Sequence, residues 1–471
     1  MRSPLARICL ILVLALTIHA ATSDHIEAVE NGLLPAVVIK GRPVQHGNIL
    51  ERMTALHVRG VSIAVINNYE IEWAKGYGFA DLQSKHPVEI TTLFQAGSIS
   101  KPVAAVAAMK MVEDGRLALD QDINTFLKTW KVPENEFTKD KKVTLREILS
   151  HSAGVTVHGF PGYAAGDPVP GLVQVLNGEK PANTQPIRVD TVPGSIWRYS
   201  GGGYTIMQLA MIDITGKRFA DIMLDTVLRK AGMRDSTYEN PLPAKLSEVA
   251  ATGYRADGTP VPGRYHTYPE MAAAGLWTTA SDLARFGIEI QKSREGRSNR
   301  ILKQATVQEM LTEQKEPYGL GFALAPNWFS HGGADEGFQA FFGCSLNGMG
   351  LVVMTNSDNG GRLAHEIELA FAATYGLAQK PVEREMMPMP VDSMQKFAGN
   401  YTADFLGRLS IRVEGDHLVI SNERVGSVQL FPASGTTFFS LGETPDVTFT
   451  MDDGSTVTGF SSGNLKARKI R

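Results

Sequence analysis

The run Val103-Ala104-Ala105-Val106-Ala107-Ala108-Met109-Lys110-Met111-Val112 is almost wholly apolar and built from strong helix formers. It follows Ser98-Ile99-Ser100-Lys101-Pro102. Proline is tolerated only near a helix start, so a helix is predicted to begin close to Ser98. It should stop near Asp114-Gly115, where Gly115 suits the residue just past a helix end. Residues three apart share a helix face, which sets the Ser98 hydroxyl beside the Lys101 amine and turns Ser100 away. A serine becomes a useful nucleophile when a neighbouring base takes its proton. A lysine can be that base when burial or nearby positive charge lowers its pKa, and the apolar helix points to burial. Taken alone, Ser-x-x-Lys is also the pattern of a cap serine followed by a surface lysine, so the rest of the chain has to decide.

The 471 residues leave room for two or three domains, and 43% hydrophobic with 20% charged residues is the balance of a folded protein with a large core. The net charge of −3, with no basic run, gives no nucleic-acid footprint. Arg2 and Arg7 precede an apolar stretch from Ile8 to Ile18 and then Ala20-Ala21-Thr22-Ser23. That order describes a signal peptide over residues 1–23, too short to span a bilayer comfortably. The expectation is an exported protein, periplasmic or secreted, touching a membrane only if this segment stays uncleaved. Without Arg2 and Arg7, 44 basic residues face 49 acidic ones, a net charge of −5. Cys9 lies in the leader, so Cys344 is the single mature cysteine and no internal disulfide is possible. Its apolar setting, Ala340-Phe341-Phe342-Gly343-Cys344, reads as packed core.

Along the chain, Val61 to Ile66 reads as a strand, Asn67-Asn68 as a turn and Ile71 to Gly78 as the hairpin partner. Helices and Gly- and Pro-rich loops follow. Thr144 to Leu149 is helical, 155–193 is irregular and of a length that suits a site cover, and a helix is predicted over 205–215. Another runs from Asp282 to Ile290 with Ser281 as its N-cap. Strands return at Tyr318 to Leu324, Phe338 to Cys344 and Leu351 to Asn356, before a helix from Leu363 to Tyr375. Strands at both ends with helices between them predict an α+β domain, an antiparallel sheet flanked by helices with an all-helical insertion, over residues 24–380. Residues 381–392 form a Pro-rich linker. Evenly spaced short strands over 393–471 predict a small antiparallel β-barrel.

Ser98-x-x-Lys101, Tyr199-Ser200-Gly201 and His331-Gly332-Gly333, in this order, resemble the serine hydrolases of the class C β-lactamase and penicillin-binding protein family, which includes D-aminopeptidases and esterases. Val61 to Val65 with Lys75 to Gly78, Val143 to Gly154 and Gly275 to Ala284 are similar to further family stretches, so the resemblance covers roughly residues 45–378. The segment opening with Phe397-Ala398-Gly399-Asn400-Tyr401 resembles the lipocalin-like barrel appended to some of these hydrolases.

The resemblance implies that Ser98 attacks a carbonyl to form an acyl-enzyme, that Lys101 helps remove its proton, and that Tyr199 carries a proton to the leaving group and shares the base role. Positive neighbours would lower a tyrosine pKa. His331-Gly332-Gly333 matches the family's Lys-Thr-Gly strand as a substrate-binding edge. The backbone N–H groups of Ser98 and Ala334 would form an oxyanion hole, in which one lost donor typically costs about 3 kcal/mol. A histidine at 331 titrates near pH 6.5 when unperturbed, which predicts that carboxylate binding weakens above neutral pH. Gly201 stands where the family's β-lactamases and peptidases usually carry Asn, which weakens recognition of β-lactams and peptides, while Gly202-Gly203 leaves room for water or another group. His151, in Ser150-His151-Ser152, reads as structural.

These residues predict a serine hydrolase with no cofactor and no metal, acting through a Ser98 acyl-enzyme on a small-molecule or peptidoglycan-type substrate: an ester, a D-amino-acid amide or peptide, or a β-lactam. Ester or peptidase-like activity ranks slightly ahead of true β-lactamase activity. The alternatives are a class C-type β-lactamase or DD-peptidase, and a penicillin-binding receptor that acylates without turnover.

Overall fold

Asn68 and Tyr69 both take positive φ, 52° and 64°, the conformation that lets a two-residue turn follow the twist of a hairpin. The turn therefore lies one residue later than the sequence reading placed it, joining strand Gly60–Asn67 to Glu70–Asp81. The computed structural model describes residues 22–403, 406–422, 426–442, 444–452 and 456–470. The expected leader, with Cys9, lies outside them apart from its last two residues, which open a helix. Among the described residues no helix is long and apolar enough to cross a membrane.

Residues 58–364 form one compact unit. Its sheet has seven strands, all neighbours antiparallel: His86–Pro87, Glu70–Asp81, Gly60–Asn67, Gly350–Thr355, Phe338–Ser345, Trp328–Asp335 and Ala323–Ala325. The helices come from the chain between the second and last of these, which is the predicted α+β arrangement. Helix Ser100–Glu113 is buried at every residue from Ser100 to Met109. A helix apolar on all sides has to lie inside a core. Cys344 is a free, buried cysteine whose thiol burial pushes up, as a packed core residue requires.

Several boundaries differ from expectation for local reasons. Helix Ala280–Arg294 starts at Thr279, whose hydroxyl accepts the Asp282 N–H, so Thr279 and not Ser281 is the N-cap. Of the expected strand 318–324 only Ala323–Ala325 forms. The Leu320 N–H is taken by Met310 O and the Gly321 N–H by Leu149 O, leaving neither for a ladder. The strand that does exist, Trp328–Asp335, contains His331-Gly332-Gly333 and lies in the gap between the two neighbouring runs read as strands. Glycine weakens strand propensity, and here pairing with Phe338–Ser345 supplies what propensity lacks. The irregular stretch 155–193 contains a helix, Leu172–Asn177, anchored by buried Val175 and Leu176.

The second unit comprises the described residues before 58 and after 364. Val382–Arg384, inside the Pro-rich segment, pairs in parallel with Val37–Ile39. Eight strands from Gly399–Ala403 to Leu465–Ile470 close into a barrel, the first pairing with the last. Phe397, Tyr401, Phe438, Phe449 and Phe460 fill its interior with Leu409, Ile411 and Leu418. This barrel is packed by side chains, as small closed barrels are.

Candidate active site

Ser98 sits in a single 3-10 turn, Gly97–Ile99, that runs into helix Ser100–Glu113. The Lys101 Nζ donates to Ser98 Oγ at 2.9 Å and to Ala273 O at 2.9 Å. Ser100 faces away, donating from Oγ to Gly97 O at 2.6 Å and accepting the Leu276 N–H at 2.9 Å. One serine is thus tied to the amine and the other to the backbone. Burial pushes the Lys101 pKa down to about 7, against the pull of the nearby Asp335. Desolvation disfavours the ammonium, so the neutral amine that a general base must be is accessible at physiological pH.

The Tyr199 ring lies 4.8 Å from Lys101 Nζ. Burial raises its pKa, and the nearby Ser98 hydroxyl only partly offsets that. The expectation of a lowered pKa is thereby reversed. Desolvation of the phenolate is the largest influence on it. Tyr199 remains a phenol, able to donate a proton rather than serve as the base. His151 packs against it at 4.2 Å between ring centres, and its Nδ1 accepts the Ser200 N–H at 3.1 Å. Burial, aided by Lys101, holds His151 neutral, so it orients the tyrosine segment as a structural residue.

Helix Gly201–Thr215 begins four residues earlier than predicted, capped by Ser200 Oγ accepting the Gly203 N–H. Three glycines disfavour a helix by roughly 1 kcal/mol each, and for Gly201 and Gly202 the reason is proximity. A Cβ on Gly201 would lie 2.9 Å from the Phe160 ring and 3.1 Å from His158 O, and one on Gly202 would lie 2.6 Å from Thr156 O. The 156–160 segment therefore crowds Gly201 and takes the room expected at Gly202, while at Gly203 the nearest atom lies at an ordinary 3.6 Å. That segment also lays the exposed His158 ring 4.8 Å from Tyr199. Trp197, 38% exposed, lies 5.6 Å from Tyr318.

The strand carrying His331 is pressed against the Ser98 turn. A Cβ on Gly333 would sit 2.0 Å from Ala96 O, and one on Gly97 would sit 2.4 Å from Ala334 N. His331 Nδ1 donates to Gly332 O at 2.6 Å, so Nε2 is the acceptor for the Tyr318 hydroxyl at 3.2 Å. Burial, then Lys101, lowers the His331 pKa to about 3. The expected titration near pH 6.5 does not occur, and His331 is a neutral imidazole across the physiological range.

Two acids went unread in the sequence. Glu270 is fully buried and Asp335 nearly so, and neither carboxylate makes a hydrogen bond of good geometry. Burial raises Glu270 to about 8. Asp335 is raised as well, by burial, against the opposing influence of Lys101, the Gly97 N–H and the Tyr268 hydroxyl. No motif marks them. The nearest signal is that Asp335 directly follows the predicted site segment 331–334, while Glu270 adjoins none.

The family model described as beta-lactamase matches residues 47–374. The chain belongs to the beta-lactamase family. PbpX of Bacillus subtilis (strain 168) is 26% identical over 313 residues, covering 64% of this chain and 71% of PbpX. Penicillin-binding protein 4* of the same organism is 20% identical over 443 residues, covering 86% of this chain and 93% of that one. The octameric penicillin-binding protein homologue from Pyrococcus abyssi superposes with a TM-score of 0.61 at 22% identity, covering 89% of this chain and 98% of that one. This likeness supports the beta-lactamase fold and its appended barrel. Members of the beta-lactamase family are generally serine hydrolases, and this member keeps a buried Lys101 against Ser98 while replacing the cation expected at 331 with a neutral histidine.

Proposed function

We propose that the chain is an exported serine hydrolase that forms an acyl-enzyme at Ser98 and prefers uncharged esters and amides to β-lactams or other carboxylate-bearing substrates. The observation that carries the preference is the neutral, buried His331, hydrogen-bonded to Tyr318 and Gly332. A substrate carboxylate brought to this strand meets no fixed cation there, and desolvating it unpaired is costly. Phe160 beside Gly201 adds to this, because an aromatic ring occupies the ground from which an amide side chain would bond a peptide carbonyl.

In this reading neutral Lys101 accepts the Ser98 proton as Oγ bonds to the substrate carbonyl carbon. Charge on the carbonyl oxygen is met by the N–H groups of Ser98 and Ala334. Tyr199, a phenol, gives its proton to the leaving group and is reprotonated from the lysine side. Water then attacks the acyl-enzyme by the reverse sequence and restores the Ser98 hydroxyl.

The test compares the purified chain with Ser98→Ala on a short-chain nitrophenyl ester, a chromogenic cephalosporin and a D-Ala-D-Ala peptide. The ester should give the highest kcat/KM, and Ser98→Ala should lose roughly 10⁴-fold or more. Full activity in Ser98→Ala would sink the mechanism. A cephalosporin preferred over the ester would favour a class C-type β-lactamase. A stoichiometric burst without turnover would favour a receptor-like role. Export is tested by fractionation, since a mature N-terminus within residues 21–24 is expected outside the cytoplasm.

A further inference from the structure

Away from the serine site, Arg234, Arg285, Lys292, Arg297 and Arg300 line a single cavity of about 640 Å³ in the 58–364 unit. That volume falls in the range of small-ligand sites, roughly 300–1,000 Å³. Two of the five cations are already engaged. Arg285 pairs with the buried Asp282, and Arg297 pairs with Glu295 at 3.2 Å and lies 4.4 Å over the Tyr69 ring. Glu289, the one acid of the lining, is occupied by the hydroxyls of Ser293 and Ser298 at 2.8–3.1 Å. Among the described residues, Arg234, Lys292 and Arg300 have no acidic partner.

These three come from separate places. Arg234 follows the helix end at Gly232, Lys292 sits in the last turn of helix Ala280–Arg294, and Arg300 lies beyond it. Complementing the helix dipole accounts for Lys292, since cations stabilise a C-terminal turn. It does not account for Arg234 or Arg300, which belong to other segments. Nor does overall charge, because the chain is acidic, with a net −3. Three uncompensated cations converging on one concavity repel each other, and an anion held between them removes that cost.

We propose that this cavity binds an anion carrying two or more phosphate-type groups, held by Arg234, Lys292 and Arg300. Guanidinium forks match the geometry of phosphate oxygens in pairs, and the lysine adds a point charge. Three open cations suit a ligand of about three negative charges. The same chemistry is offered by a soluble oligophosphate or by a stretch of an anionic phosphate polymer.

The experiment is calorimetric titration of the full chain with inorganic phosphate, tripolyphosphate and long-chain polyphosphate in low salt, repeated at high salt. Tripolyphosphate is expected to bind one per chain and at least tenfold tighter than phosphate, weakening as salt screens the contacts. Binding by long-chain polyphosphate alone would place the source in a polymer. The triple variant Arg234→Ala, Lys292→Ala, Arg300→Ala should lose at least tenfold in affinity while keeping its melting temperature and ester turnover, and the single Arg300→Glu should lose affinity in the same direction. Absence of saturable binding by either oligoanion in low salt, or variants that bind as well as the parent, overturns the proposal.

Discussion

Lys101 Nζ lies 2.9 Å from Ser98 Oγ and the same distance from Ala273 O. One amine thus joins Ser98 to a segment some 170 residues further along the chain. Its two contacts differ in consequence. The carbonyl holds the amine in place, and the hydroxyl is the group whose proton it would take in the proposed mechanism. Because burial sets the Lys101 pKa to about 7, the proposed mechanism takes its pH dependence from this short bridge.

The kcat/KM for an uncharged ester should rise with pH through about 7 and then level off. The sign follows from the base role: below the pKa Lys101 is an ammonium and cannot take the Ser98 proton, so activity falls about tenfold per pH unit. A pH–rate profile between pH 5 and 9 checks this. Lys101→Arg, which stays charged, should be inactive across that range.

Ser100→Ala should separate structure from chemistry. The variant leaves the buried Leu276 N–H without its acceptor, while Gly97 O keeps the Ser100 backbone N–H, a loss of about 1–3 kcal/mol. Thermal unfolding should show a lowered Tm, while kcat on the best ester stays within a few-fold of the parent. Abolished turnover in a folded Ser100→Ala would mean that the two serines of the tetrapeptide have been assigned the wrong way round.

Gly201→Asn restores the family's usual residue to a place with no space for it. Its Cβ would meet the Phe160 ring at 2.9 Å and His158 O at 3.1 Å. Overpacking of this kind costs about 1–3 kcal/mol. The single variant should melt lower and gain no cephalosporin hydrolysis, and Phe160→Ala in the same chain should recover part of the lost stability. Calorimetry and a chromogenic cephalosporin assay read the two effects.

Glu270 links stability to pH. Its carboxyl is neutral in the fold up to about 8 but ionises near 4.5 when unfolded. Between those values the folded state binds the proton and the unfolded state does not, so stability falls as pH rises, by up to about 1.4 kcal/mol per pH unit. Glu270→Gln cannot ionise, and it should flatten the fall in denaturant-derived stability between pH 5 and 8. An unchanged slope would show that Glu270 titrates normally.

Much of this was legible in the chain because it is local. Three-residue spacing put Ser98 beside Lys101. Thr144 followed by Glu147 starts the helix Leu145–Leu149 with a capping box. Short strands at even spacing marked the barrel. What escaped was set by packing between distant segments. Gly202 was expected to leave room because Thr156 and Ile187, in the irregular stretch before it, give no sign of where they will pack. Trp328–Asp335 hid behind its glycines, since its stability comes from its neighbour strand. Glu270 and Asp335 look like ordinary acids until the core closes over them.

The electrostatics divide in the same way. Residue identity determined which groups are present: a hydroxyl, an amine, a phenol and an imidazole in a fixed order, able to carry out acyl transfer. It could not determine their protonation, because ordinary pKa values describe groups in water. Burial lowered Lys101 towards 7, sent His331 to about 3 where 6.5 was expected, and raised Tyr199 where neighbouring charge suggested a fall. Desolvation depends on every atom packed around a group, and most of those atoms lie far away in sequence. The set of reactive groups was therefore written in the chain, while their protonation, and with it the lack of a fixed cation at residue 331, was decided only when the core excluded water.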